Sequence, residues 1–183
     1  MILGLDISTS CTGWCLLHPD GSFFRAGCIP LAKHKDMFSK AQEAEKHIDE
    51  LIKDINITSI AIEQNLQSFR SGFSSAHTLY SLARFNGVLS YICFKKIGIK
   101  PTFLNVNSSR KSLGIKLIRE KVCGISTKDQ ILEWTRPKLE VEGYVWPRKT
   151  LKSGPRKGQT IMDPSCYDIA DAFIVAKSSL IEH

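Results

Sequence analysis

Four acidic side chains raise the question of chemistry. Asp6 closes the short apolar run Ile2 to Asp6, and Glu63 closes the β-branched, apolar run Ile57 to Glu63. Asp168 and Asp171 stand three apart and therefore share one face of a helix. If the two runs are neighbouring strands and that helix packs across their ends, four carboxylates converge. Carboxylates so placed repel and raise one another's pKa, which divalent cations relieve. Oxygen-only ligation suits Mg²⁺ or Mn²⁺ and not Zn²⁺. Two such ions held ~3.5–4 Å apart activate a water and stabilise the leaving oxygen in phosphodiester hydrolysis. Read singly, Asp6 could simply open a turn, and Asp168 and Asp171 could be a solvated helix face. Glu63 resists such a reading, because Glu is depleted in apolar strands.

Other chemistries find little support. The cysteines at 11, 15, 28, 93, 123 and 166 form no C-x-x-C pair and have no His at a companion metal spacing. Reduced, mostly buried thiols are expected. The five His residues show no ligand spacing. His77 falls in the first turn of a helix, where it either approaches a polyanion or is an ordinary polar surface residue. There is no G-x-S-x-G elbow, P-loop or H-E-x-x-H. Asp6-Ile7-Ser8-Thr9-Ser10 resembles the first phosphate-binding turn of the actin and sugar-kinase class. That class needs two lobes and a second Gly-rich phosphate loop, and these 183 residues carry neither.

The elements that must position the acids follow from periodicity. Ile2 to Asp6, Trp14 to Leu17 and Ser22 to Ile29 read as three antiparallel strands, the last two joined through Pro19-Asp20-Gly21. From Asp36 to Ile55 the apolar residues take helical spacing. A strand ends at Glu63, a polar loop covers Gln64 to Ser75, and a long helix is expected from there to about Lys96. Its apolar character on more than one side suggests burial against both the sheet and a partner subunit. Pro101 to Val106 reads as a strand, Asn107-Ser108-Ser109 as the cap of a short helix, and Ser126 to Trp134 as a further helix. Asp163-Pro164 caps the last helix, with Ile169, Phe173, Ala176 and Leu180 on its buried face. The order is β-β-β-α-β-α-β-α with a C-terminal helix, in a single domain over residues 1–183.

Net charge and pI favour a polyanionic partner: the formal charge is +7 and the pI near 9.1. The stretch Gly143 to Thr160 concentrates that charge, since Arg148, Lys149, Lys152, Arg156 and Lys157 occur there without an acid between them. With Pro147, Gly154, Pro155 and Gly158 it reads as a basic, flexible loop inserted beside the acids. The N-terminal MILGLDISTS offers no basic n-region or long apolar run, and no apolar stretch is long enough for a bilayer. A soluble protein that stays in the compartment making it is expected, intracellular and not secreted.

In this order the segments resemble a known family. Gly4-Leu5-Asp6 followed by a Ser/Thr turn and Gly13, then Ile60-Ala61-Ile62-Glu63-Gln64, then Asp168-Ile169-Ala170-Asp171-Ala172, resemble the RuvC family of Holliday-junction resolvases. Ser126-Thr127-Lys128 is similar to its lysine-bearing helix start. The resemblance implies an RNase H-like α/β fold, a central mixed five-stranded sheet with helices on its flanks. It implies Asp6, Glu63, Asp168 and Asp171 as ligands of two Mg²⁺ ions, with Mn²⁺ able to substitute, and Lys128 as a backbone contact near the site. It further implies a homodimer that binds four-way DNA junctions and nicks them symmetrically. Arg110, Lys111 and Lys116 join the five basic residues of the 143–160 stretch as expected DNA contacts. Phe69, Arg70 and Phe73, in a loop that departs from the family pattern, are the expected junction wedges. An aromatic there either stacks on an unpaired base or packs in the core. A DNA-binding scaffold that keeps the fold without catalysis is the alternative, and it would bind junctions without turning them over.

Overall fold

The structure is a computed structural model that describes residues 1–64 and 76–181. Its first three strands, β1 (Ile2–Asp6), β2 (Cys11–Leu17) and β3 (Phe23–Pro30), form the expected antiparallel meander. After α1 (Met37–Ile52), β4 (Ser59–Glu63) pairs parallel to β1. After α2 (Ala76–Ile97), β5 (Thr102–Leu104) pairs parallel to β4. The resulting order is β3-β2-β1-β4-β5. It places the two acid-bearing strands side by side, with Asp6 and Glu63 at the same end.

Alternation along β1 divides the core into two layers. Leu3 and Leu5 face α1 and α2, where Ile48, Leu51, Phe85, Leu89 and Cys93 are buried with them. Ile2 faces the other way, toward α5 (Thr127–Val141) and α6 (Ser165–Ser178), with Leu132, Leu139, Ile169 and Phe173. α6 is apolar almost all round and lies across β1, β2 and β4. Small residues let it come that close: a Cβ on Gly4 would stand 2.5 Å from the Ala172 carbonyl oxygen.

Several expectations shift in detail. Asn105, not Asn107-Ser108-Ser109, caps α3 (Val106–Ser112), its side chain accepting from the backbone N–H of Asn107 and Ser108. A short helix that the periodicity does not announce, α4 (Glu120–Cys123), precedes α5. α5 itself runs past Trp134 and through Pro137 to Val141, because Ile131, Leu132, Thr135 and Leu139 are buried along it. Packing there outweighs the hydrogen bond that proline deletes.

The largest correction falls on residues 143–160. The stretch is not a flexible loop throughout. β6 (Arg148–Thr150) and β7 (Thr160–Met162) pair antiparallel as a hairpin. Tyr144 and Trp146 anchor its base in the second core layer, ring centroids 5.0 Å apart and edge to face. Asp163 behaves as expected, its Oδ1 accepting from the backbone N–H of Ser165 at the start of α6.

Candidate metal centre and nucleic-acid face

Each candidate ligand is held by a different device. β1 and β4 end in Asp6 and Glu63 at the same edge of the sheet. The first turn of α6 brings Asp168, and the next turn Asp171, across that edge. Asp6 is affected by all three other acids: burial first, then Glu63, Asp171 and Asp168, push its pKa well above the carboxylate range. Glu63 is raised to about 7, by burial and then by Asp171. Burial likewise raises Asp168 and Asp171. The charges of Glu63, Asp168 and Asp171 all act on Asp6, which makes the four carboxylates one electrostatic neighbourhood.

Two cations answer it. Lys128, in the first turn of α5, lowers the pKa of all four acids. Its ammonium lies 5.8 Å from the Tyr167 ring centre, and the Tyr167 hydroxyl donates to Asp129 at 2.7 Å, tying α5 to α6. Arg110, expected on the DNA-facing surface, is turned inward instead. Its Nη2 donates to Asp171 Oδ1 at 3.0 Å, both side chains largely buried at 16% and 15% exposure. Nothing in the sequence pairs these two residues; only the contact of α3 with α6 does.

The remaining predicted residues divide. Lys111 and Lys116 are exposed beside Arg110, along a groove with Asn107 and Gly114. Arg148, Lys149, Lys152, Arg156 and Lys157 are all exposed on the hairpin. Lys149 reaches a depression lined also by Asp163, Cys11, Cys28 and Asp168, so the hairpin borders the acidic cluster. Phe69, Arg70 and Phe73 lie outside the described residues. One pair of neighbours carries no signal in the sequence: Cys11 and Cys28 line the same depression as Asp168. All six cysteines are free.

The donor set fits a hard divalent cation. It offers only carboxylate oxygens, they are partly desolvated, and one of them already binds a guanidinium in the place a cation would take. Among the described residues no group of three or more His, Cys, Asp or Glu side chains is arranged to hold an ion as it stands. An ion held at Asp171 would have to displace Arg110 from it.

The mixed five-stranded sheet, with acids at the ends of its adjacent β1 and β4 and an acid-bearing helix across them, has a fold shared with solved RuvC structures. RuvC of Thermus thermophilus, solved with a Holliday-junction substrate, superposes with a TM-score of 0.64 over 99% of this chain and 93% of its own, at 13% identity. The yeast mitochondrial Holliday junction resolvase Ydc2 matches with a TM-score of 0.54, over 98% of this chain and 77% of its own, at 15% identity. In sequence, the chain is 31% identical over 100 residues to the crossover junction endodeoxyribonuclease RuvC of Sulfurovum sp. (strain NBC37-1). That alignment covers 53% of this chain and 59% of the relative's length. No protein-family model matches.

Proposed function

We propose that the chain is a metal-dependent endonuclease that resolves four-way DNA junctions or other branched DNA, acting as a homodimer and nicking symmetrically. The observation that carries this reading is the convergence of Asp6, Glu63, Asp168 and Asp171 at one edge of the sheet. The likeness to a RuvC solved with a junction substrate points the same way.

Asp6, Glu63, Asp168 and Asp171 would hold the ions, Mg²⁺ with Mn²⁺ as substitute. Bound there, a pair of divalent cations supplies water activation and stabilisation of the leaving oxygen in phosphodiester hydrolysis. Lys128 sits where it can hold a phosphate oxygen of the strand against that edge, as a point charge free to rotate its donors. Arg110 balances the Asp171 charge, and its fork would be free for a backbone phosphate if Asp171 held an ion. Lys111, Lys116 and the hairpin cations extend the positive surface to either side, which suits recognition of junction shape through phosphates.

Dimer formation is supported by the outward face of α2. Tyr80, Tyr91 and Phe94 are exposed there at 63%, 62% and 42%, and Gly87, Tyr91 and Phe94 follow a 4-3 spacing along the helix. Among the described residues no helix is long and apolar enough to cross a membrane.

The test is cleavage of an end-labelled four-way junction beside a matching linear duplex, with Mg²⁺, with Mn²⁺ and with EDTA. Paired, metal-dependent nicks near the branch point and none in the duplex are expected. Tight binding without cutting would leave the protein a branched-DNA scaffold.

A further inference from the structure

A second basic feature lies on the opposite side of the sheet edge from α6. Lys35, Lys40, His77 and Arg84, with Thr9 and Ser81, line a cavity of about 340 Å³ between the start of α1 and the start of α2. Phe85 and Met37 complete its apolar wall, and among the described residues no acid lines it. From Gln64 to Arg119 the chain contains neither Asp nor Glu, so the whole of α2 brings no counter-charge. The nearby acids are engaged elsewhere. Asp36 accepts from the backbone N–H of Phe38 and Ser39 and from the Ser39 hydroxyl, and Glu43 pairs with Lys33 and His34. Among the described residues Lys35, Lys40 and Arg84 make no ion pair. Lys40 donates to the carbonyls of Thr9 and Leu31, which fixes its ammonium without neutralising it. Arg84 lies over the Tyr80 ring at 5.3 Å. Like charges gathered around a concave site without a counter-ion attract an anion.

Topology says which anion. Thr9 follows Asp6 by three residues in the turn leaving β1. β3 runs parallel to β1, and its last residue, Pro30, stands opposite Cys11, so the chain enters α1 at the edge that carries the acids. The carboxylate cluster thus has α6 on one side and this cavity on the other. A nucleic-acid strand laid over the carboxylates is repelled by them and needs cations on both flanks to stay. Arg110 and Lys128 serve the α6 side.

We infer that the cavity bounded by Lys35, Lys40, His77 and Arg84 is a phosphodiester subsite, which holds a backbone phosphate of the DNA strand flanking the one to be cut. The pocket's chemistry stands on its own residues; that its phosphate belongs to a cleaved strand rests on the nuclease reading. Its hydroxyls and imidazole complete the hydrogen bonds, and its roominess admits the sugar as well as the phosphate.

The test uses the full chain in EDTA, with His imidazoles isotopically labelled and the His77 resonance assigned through His77→Gln. Tetrathymidylate, inorganic phosphate and a thymidine mononucleotide are the probes. Saturable displacement of the His77 signal by tetrathymidylate, at far lower concentration than by either small anion, is expected. Lys35→Gln with Arg84→Gln should abolish that displacement while circular dichroism and the melting temperature stay at wild-type values. Junction binding should lose about one unit of salt slope for each charge removed. Inorganic phosphate equalling the oligonucleotide would overturn the strand assignment and leave a free-anion pocket. No displacement by any probe, with junctions still cut, would overturn the subsite and spare the nuclease reading. Displacement without junction cutting would do the reverse.

Discussion

Gly13 lies directly beneath Asp168: a Cβ on the glycine would stand 2.0 Å from the Asp168 carbonyl oxygen. The same glycine is the register partner of Asp6 across the β1–β2 pair. One residue without a side chain therefore sets how closely the helix bearing two acids approaches the strand bearing a third. Gly13→Ala is expected to push α6 outward and cost about 1–3 kcal/mol, the range for forcing extra volume into a packed site. Urea unfolding measures that cost, and Mn²⁺ titration of the folded variant should show weakened binding. A wild-type midpoint with wild-type ion affinity would mean that α6 has slack.

If Asp171 holds a cation, as proposed, Arg110 competes with it for that carboxylate. Arg110→Gln should lower apoprotein stability by about 1–2 kcal/mol, the scale of a hydrogen bond to a charged group discounted for the partial exposure of both partners. The same variant should bind Mn²⁺ more tightly by calorimetry, because no guanidinium has to leave first. Weaker binding would instead make Arg110 a support of the ion site.

How much of this is legible in the sequence depends on the range of the interaction. Asp6 and Glu63 stand out because an acid that ends an apolar strand has few structural reasons to be there. Asp168 and Asp171 stand out because a spacing of three fixes a shared helix face. The antiparallel meander of the first three strands follows from short connections, whereas the place of β4 beside β1 comes only with the family resemblance. Arg110 could not be placed, since its partner lies 61 residues away and depends on how α3 meets α6. The hairpin is hidden because three-residue strands are too short to display an alternation, and the span between them, with Gly154, Pro155 and Gly158, carries turn signals. The basic cavity is also unreadable, as its walls come from three separate segments. Only His77 hints at it.

Asp168→Asn should reduce junction cleavage by about 10³-fold, the loss of several kcal/mol of charge stabilisation. Junction binding should persist, because the basic surface is untouched and one repelling charge is gone. Gel-shift and cleavage assays on the same junction separate the two effects. Equal loss of both would count against Asp168 as an ion ligand.

The hairpin cations act together. Neutralising Arg148, Lys149, Lys152, Arg156 and Lys157 removes five exposed charges without touching either core layer. Junction affinity should drop, and the salt slope should flatten by roughly 0.9 for each phosphate that the hairpin no longer neutralises. Melting temperature should hardly move. A salt slope identical to wild type would make the hairpin a bystander, whatever its charge.

Glu63 gives the apoprotein a characteristic pH dependence. Its ordinary value is 4.5, and burial followed by Asp171 raises it to about 7 in the fold. A carboxyl held above its unfolded value favours the native state when protonated. That stability is complete below about 4.5 and is lost as pH rises through about 7. Wild-type apoprotein should therefore lose melting temperature across this window relative to Glu63→Gln, which carries no such proton. Mg²⁺ should cancel the wild-type loss at the upper end, since an ion prefers the ionised carboxylate, and should do less for the variant. Parallel curves for the two proteins, with and without Mg²⁺, would show that Glu63 titrates as an ordinary surface acid and remove it from the ion site.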